Sequence, residues 1–249
     1  MTPGAYAVGA GDVAAGLRFL RAHPGLWRWV IAPALVTLAL MTLAVVGVLA
    51  AAGPVVDWIA GGMPSALARW SHGVVWVVAV LALGFAAVLL FVPVVGVIAD
   101  PFNERLAVAV YAARTGVARP PIGLAAFVRD ALGGLARGLG RVVVAIVGAA
   151  LLFALSLVPV IGAIAAAVIA AWLTARGTAR DCYEAALSAC DLDGAAAQRF
   201  LATHRARTLG LGATVAALLV VPGVNLIALG VGTTGATLAA IDLAAAPRA

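Results

Sequence analysis

Long apolar runs separated by short charged segments dominate the pattern of this chain. The first run covers residues 26–52 and the second covers residues 74–99. Each is long enough to cross the roughly 30 Å hydrocarbon core of a bilayer as a helix. Trp27 and Trp29 stand at the start of the first run, and tryptophan is enriched at membrane interfaces. The pattern therefore predicts two complete transmembrane helices.

Two further apolar runs each contain a proline near the middle. Residues 142–175 are interrupted at Pro159, and residues 208–241 at Pro222. A helix must kink or stop at these sites, because proline lacks the N–H and clashes with the preceding turn. Each half has roughly 16 residues, or about 24 Å, which is less than the hydrocarbon thickness. We predict two helical hairpins that penetrate the membrane part way; a single kinked and strongly tilted helix in each run is the alternative.

The residues at these breaks indicate a path or binding site for a polar solute. The second halves of the hairpins begin near Gly162 and Asn225, where positive helix ends at depth would suit an anion. A third valine–proline pair, within residues 91–96, predicts a kink or stop in the second span as well. Irregular backbone at membrane depth is tolerated only where protein or a water-filled cavity surrounds it.

The composition assigns the whole chain to the membrane class. Its 249 residues are 65% hydrophobic and only 10% charged, whereas about a quarter of the residues in soluble domains are charged. The mean hydropathy is +1.14. We therefore predict one all-α integral membrane domain over residues 1–249, with short flexible termini.

Arginine placement predicts the orientation of this domain in the membrane. The segment 53–73 between the first two runs contains only Arg69, whereas arginines are frequent before the first run and after the second. The positive-inside rule then places the amino terminus in the cytoplasm. A helical-period apolar stripe within residues 124–139 predicts an amphipathic helix lying at the interface. Because the arginines flank apolar runs without interleaved aromatic residues, they favour membrane orientation over nucleic-acid binding.

The candidate chemistry is that of an anion site. The chain lacks the motifs of catalytic and metal centres, so we predict no enzyme activity, no metal and no cofactor. At the start of the first run, the backbone donors of Gly25 and Leu26 and the guanidinium of Arg28 can converge on an oxyanion. Ordinary helix initiation with a snorkelling arginine is the alternative. Asp100, Glu104 and Arg105 follow the second run, where they form either a gate or ion-pair network or an interfacial helix cap at Pro101.

Several short segments, in order, resemble one known family. They include Pro24-Gly-Leu26, the segment from Ala99 to Arg105, the segment from Leu155 to Gly162, and Pro222-Gly-Val-Asn225. Together they resemble the CysZ-like sulfate permeases and the etoposide-induced-protein membrane domain over about residues 11–242. The resemblance implies two long membrane helices, two partly penetrating hairpins, a homo-oligomer in the bacterial plasma (inner) membrane, and sulfate uptake for cysteine biosynthesis. It also implies an oxyanion site at Gly25, Leu26 and Arg28.

These observations predict a multi-pass permease or channel for a small oxyanion, with sulfate as the first candidate. The competing hypothesis is a membrane scaffold that uses the same fold to bind partners without transporting a solute. Uptake of radiolabelled sulfate into liposomes discriminates between the two.

Overall fold

The computed structural model of the protein describes residues 3–61, 65–118, 140, 144, 146–158, 161–192 and 194–245, and only the backbone at 60–61, 65–72 and 88–99. Every regular element in these ranges is helical, in agreement with the predicted all-α class. In chain order the elements are α1 (Pro3–Ala22), a 3₁₀ turn (Pro24–Leu26), α2 (Trp27–Gly61), α3 (Ser65–Thr115), α4 (Ile146–Ser156), α5 (Ile161–Ala189), α6 (Ala195–Thr203), α7 (Arg205–Leu219) and α8 (Asn225–Ala245).

The two long helices exceed the predicted spans. α2 has 35 residues and α3 has 51, so at 1.5 Å per residue they are about 52 and 76 Å long. The segment 53–73, which separates the two predicted spans, is mostly helical, since residues 53–61 belong to α2 and residues 65–73 to α3. The helix also continues through residues 91–96 and through Pro101, so α3 neither stops at the third valine–proline pair nor restarts at Asp100. Proline is tolerated inside membrane helices, where neighbouring groups satisfy the freed carbonyl.

The two later breaks are confirmed. α4 ends at Ser156 and α5 begins at Ile161; Pro159 itself lies outside the described residues. α7 ends at Leu219 and α8 begins at Asn225, with Pro222 in the turn between them and Gly223 at φ +82°. Such a positive φ favours glycine, since other L-residues are strained there. The predicted amphipathic stripe within 124–139 also lies outside the described residues.

The turn between α7 and α8 lies near the start of α2. A Cβ atom on Gly230 of α8 would come within 2.8 Å of Cγ1 of Val30, in the first turn of α2. Asn225 is only about 8 Å further along the α8 axis, whereas α2 continues for about 46 Å beyond Val30. The tip of the α7–α8 hairpin therefore extends along only a small part of the length of α2.

The core gathers helix segments from both ends of the chain. Its buried side chains come from α1, the start of α2, the end of α3, the second half of α5, α7 and α8, and they include Leu20, Leu106, Tyr183, Leu187 and Leu211. The mixed charges of residues 177–207 favour a solvated helical pair, whereas the structure buries Tyr183 and Leu187 of this segment in the core. Outside the core, apolar side chains are exposed along α2 from Ile31 to Trp58. Among the described residues, Pro24–Ile59, α5 and α8 are long and apolar enough to cross a membrane.

Close glycine contacts attach α1 to this core. A Cβ atom on Gly9 would overlap the carbonyl oxygen of Arg207, and one on Gly210 would overlap that of Tyr6. The same relationship joins α1 to α8, where a Cβ on Gly16 would approach the backbone of Gly235. Small residues that permit close backbone approach are typical of membrane helix packing. Thus α1, for which the sequence predicted no role, is fixed between α7 and α8.

Candidate functional site

The predicted anion site begins with a short turn between α1 and α2. Pro24–Leu26 form one turn of 3₁₀ helix, in which the N–H of Leu26 donates to the carbonyl oxygen of His23 at 3.0 Å. Proline at the first position suits a helix start because its missing N–H would have no helical partner there. Gly25 and Arg28 are exposed, and Leu26 is half-buried. The backbone N–H of Leu26 is thus already bonded, which leaves Gly25 and Arg28 as the accessible parts of the predicted site.

Trp27 and His23 join this turn to the end of α1. The indole Nε1 of Trp27 donates to the carbonyl oxygen of Leu20 at 3.1 Å. The ring of His23 stacks on Phe19 with centroids 4.2 Å apart, and its Nδ1 lies 3.0 Å from the carbonyl oxygen of Phe19. The backbone N–H of His23 also donates to the carbonyl oxygens of Phe19 and Leu20, at 3.1 and 3.2 Å, so both side chains add to the bonds that end α1. They therefore set the direction in which α2 leaves the core.

Arg28 and Arg105 meet at one aromatic ring. The guanidinium carbon Cζ of Arg28 lies 5.2 Å from the centroid of Trp29, and that of Arg105 lies 5.5 Å from the same centroid. Both distances are within the range of a cation–π interaction. Phe102 also contacts Trp29, with ring centroids 6.5 Å apart. Phe102 and Arg105 are three residues apart on α3 and therefore share one face of that helix.

The structure therefore brings together two groups that the sequence treated separately. Gly25, Leu26 and Arg28 lie at the start of α2. Arg105 of α3 contacts the same Trp29 ring as Arg28. Asp100, Glu104 and Arg105 each have an interaction partner within the structure. All three lie within continuous α3 helix, where they are not part of a new helix cap.

A second polar cluster, which the sequence did not reveal, lies inside the core. Arg207 of α7 forms a bidentate ion pair with Asp12 of α1, with Nε 2.6 Å from Oδ2 and Nη2 2.8 Å from Oδ1. Tyr183 of α5 is fully buried beside this pair, and its hydroxyl has no hydrogen-bond partner among the residues that the structure describes. The only sequence signal was a single carboxylate within the apolar, glycine-rich helix α1.

A cleft of about 350 Å³ opens next to this cluster, between α1, α3 and α8. Its charged lining residues are Asp12, Arg18, Arg114 and Asp242. Arg114 and Asp242 form an ion pair across the cleft at 3.6 Å, and both side chains are more than half exposed. The cleft is thus lined by two positive and two negative groups, which does not favour an anion over a cation.

The helix starts at the two breaks do not present free donors at the residues we singled out. The N–H of Gly162 donates to the carbonyl oxygen of Val158 at 3.2 Å, and that of Asn225 donates to Val221 at 3.1 Å. Gly162 is buried, whereas Pro222 and Asn225 are exposed. These backbone bonds make the breaks compact turns. Because the N–H groups of Gly162 and Asn225 are already bonded, the Trp29 region is the better candidate for binding a solute.

Comparison with known proteins places the chain in a family. A family model described as "Sulfate transporter CysZ/Etoposide-induced protein 2.4" matches residues 12–229. The chain belongs to this family. It is also 27% identical to the "Sulfate transporter CysZ" of Pectobacterium atrosepticum over 230 residues, which cover 88% of this chain and 79% of that protein. Family membership and the long apolar helices identify it as a membrane protein and confirm the resemblance stated from the sequence.

The family match begins at Asp12, inside α1, and therefore includes most of the helices that surround the Trp29 region. Sequence reasoning selected Arg28 and Arg105 from their positions at the ends of apolar runs. It did not anticipate that both guanidiniums contact Trp29. In this chain the start of α2 lies beside the last third of α3, and this packing creates the contact.

Proposed function

We propose that this protein is a permease or channel for a small oxyanion, with sulfate as its first substrate. The observation that carries the proposal is the position of Arg28. It is exposed in the first turn of the long apolar helix α2, directly after the turn Pro24–Leu26, and its guanidinium is held against Trp29. A guanidinium beside the N-terminal end of a helix favours an anion through charge and directed N–H donors. The match to a named sulfate transporter supports sulfate as the anion.

The proposed location is the bacterial plasma membrane, with the amino terminus in the cytoplasm. Arg28 and Arg105 share Trp29, and Arg114 pairs with Asp242 near the end of α8. The arginines before α2 and after the apolar part of α3 therefore occupy the same end of the molecule. An excess of arginine at one end is typical of the cytoplasmic side. We also propose that the protein is a homo-oligomer, and cross-linking in native membranes tests this oligomeric state.

Sulfate flux tests the proposed function directly. The protein is reconstituted in liposomes, and uptake of radiolabelled sulfate is compared with that of protein-free liposomes and of an Arg28→Ala variant. We expect saturable uptake by the parent protein, and an apparent sulfate constant at least about tenfold higher in the variant, since a charge-assisted hydrogen bond contributes about 1.5–3 kcal/mol. Equal uptake with and without the protein would reject the permease and favour the scaffold hypothesis.

A further inference from the structure

The cleft between α1, α3 and α8 combines charges of both signs with an apolar wall. Phe19 and Leu238 lie on that wall. The volume of about 350 Å³ lies at the lower end of the range for small-molecule sites, which are mostly apolar with a few polar groups. The cleft is therefore large enough for a small molecule that carries charged groups. Its charged lining consists of two arginines and two aspartates: Arg18, Arg114, Asp12 and Asp242.

The ion pair between Arg114 and Asp242 leaves bonding capacity at this cleft. Nη2 and Oδ1 are 3.6 Å apart, which is too long for a hydrogen bond, and both side chains are more than half exposed. Such an exposed pair contributes little to stability. A ligand that offers an anionic group to Arg114 and a cationic group to Asp242 would replace one long contact by two direct hydrogen bonds.

Asp12 adds an oriented acceptor to the inner part of the cleft. Its two carboxylate oxygens each accept a hydrogen bond from Arg207, and a carboxylate has about four acceptor positions, so capacity for a further donor remains. The same bonds fix the carboxylate in place and compensate its charge. Arg18 lies on the same helix, lines the same cleft and is exposed.

The arrangement of these charges specifies the class of ligand. A simple anion in the cleft would be repelled by Asp242, and a simple cation would be repelled by Arg18 and Arg114. A neutral molecule with one charge of each sign is attracted at both ends.

We infer that this cleft binds a small zwitterion in which a short chain joins an ammonium group to a carboxylate or phosphate. The anionic group bonds the arginines, the ammonium group donates to the aspartates, and the chain packs on Phe19 and Leu238. Free amino acids and the headgroup of phosphatidylethanolamine share this chemistry. Gly25, Leu26 and Arg28 are not among the described residues that line the cleft, so the inference does not depend on the proposed function.

Three molecules of similar size test the need for both charges. The purified full-length protein in detergent is titrated by calorimetry with β-alanine, propionate and propylamine, which carry both charges, the negative charge only and the positive charge only. Low ionic strength is used because salt screens exposed charges. We expect β-alanine to bind at least about tenfold more tightly than either single-charge analogue. Equal binding of β-alanine and propionate, or of β-alanine and propylamine, would overturn the inference.

Variants with matched controls locate the site. Arg18→Gln and Asp242→Asn should each weaken β-alanine binding about threefold or more, because each removes one partner of one end of the ligand. Arg21→Gln, on the same helix as Arg18, and Asp57→Asn, on α2, make the same charge changes outside the cleft lining and should bind like the parent protein. Unchanged binding in both cleft variants, or equal losses in the controls, would place the ligand elsewhere.

Lipid retention distinguishes the two sources of the zwitterion. The protein is extracted from bilayers of equal phosphatidylethanolamine and phosphatidylcholine, and the retained lipids are identified by native mass spectrometry. Phosphatidylcholine has the same charges, but its methylated ammonium cannot donate hydrogen bonds. Preferred retention of phosphatidylethanolamine that Asp242→Asn abolishes identifies the headgroup, whereas β-alanine binding without a lipid preference identifies a free zwitterion. If neither is observed, the inference is wrong.

The proposed function is tested separately, by sulfate uptake. If the parent protein binds β-alanine at the cleft but does not transport sulfate, the permease fails and the zwitterion site stands. Saturable sulfate uptake without binding of either zwitterion gives the opposite result. Size-exclusion chromatography of each variant identifies misfolded protein, and Arg18→Gln, which alters an exposed side chain, supplies a second measurement if Asp242→Asn does not fold.

Discussion

Arg207 and Asp12 are 195 positions apart in the sequence, yet they form a two-point ion pair inside the helical core. Their side chains are 20% and 12% exposed, respectively. The hydrogen bonds to Asp12 raise the pKa of Arg207, so this guanidinium remains charged at every physiological pH. The pair joins α1 to α7 at the level where glycines bring the two backbones together.

Removing one partner of this pair should destabilise the protein. Asp12→Ala leaves the guanidinium of Arg207 without a counter-charge in a mostly buried position, which costs about 3 kcal/mol. Arg114→Ala is the control, because its ion pair with Asp242 is exposed and long, and such pairs contribute about 0–1 kcal/mol. Thermal unfolding in detergent measures both. Similar melting temperatures for the two variants would show that the buried pair does not stabilise the fold.

The glycine contacts of α1 allow a matched pair of substitutions. Gly9→Ala would place a methyl group against the carbonyl of Arg207, so α1 must move away from α7. Gly11→Ala meets no atom within 4 Å on the same helix and should stabilise it, since alanine is favoured over glycine in a helix by about 1 kcal/mol. We expect a lower melting temperature for Gly9→Ala and an equal or higher one for Gly11→Ala. The reverse order would contradict the close packing of α1 on α7.

The sequence predicted well those features that depend on local chemistry. The ends of α4 and α7 follow from prolines and glycine, which limit the helix wherever they occur in an apolar run. Helix α3 does not stop at residues 91–96, and no new helix begins at Pro101, because a membrane helix can continue through a proline where neighbouring groups satisfy the freed carbonyl. The buried role of Asp12 was not predictable from one sequence, since its partner Arg207 resembles any other arginine that flanks an apolar segment.

The candidate anion site was also only partly predictable from the sequence. Arg28 could be selected because it follows a helix-starting turn, which is a local signal. The contact of Trp29 with the arginines could not be predicted, because a tryptophan near the start of an apolar run also fits an interfacial anchor. Only the packing of α2 against α3 shows that one ring contacts two guanidiniums.

Chemical labelling tests the depth of the second hairpin. A single cysteine is introduced at Val224, in a background that carries Cys182→Ala and Cys190→Ala. Because the turn lies near the start of α2, we expect a membrane-impermeant thiol reagent to label this cysteine from the cytoplasmic side or not at all. A cysteine at Trp58, which is 81% exposed near the far end of α2, is the comparison and should be labelled from outside. Efficient labelling of position 224 from outside would show that the hairpin crosses the membrane.

The turn at Gly223 should tolerate alanine poorly. Its φ of +82° costs an L-residue about 1–2 kcal/mol. Gly177→Ala, in the exposed part of a regular helix with no atom within 4 Å of the added methyl, should not destabilise the protein. The difference in unfolding temperature between the two variants measures the strain. Equal temperatures would show that the turn between α7 and α8 can adopt another backbone conformation.

Trp29 should position the guanidinium of Arg28 for the proposed anion site. Its ring centroid lies 5.2 Å from Cζ of Arg28, within the range of a cation–π interaction. Trp29→Leu removes this contact but leaves the charge of Arg28, so we expect a higher apparent sulfate constant in the liposome uptake assay. Trp29→Phe retains an aromatic face that binds cations less strongly than tryptophan and should raise the constant by less. If Trp29→Leu takes up sulfate like the parent protein, the indole does not position Arg28, and its contact with the guanidinium has no effect on anion binding.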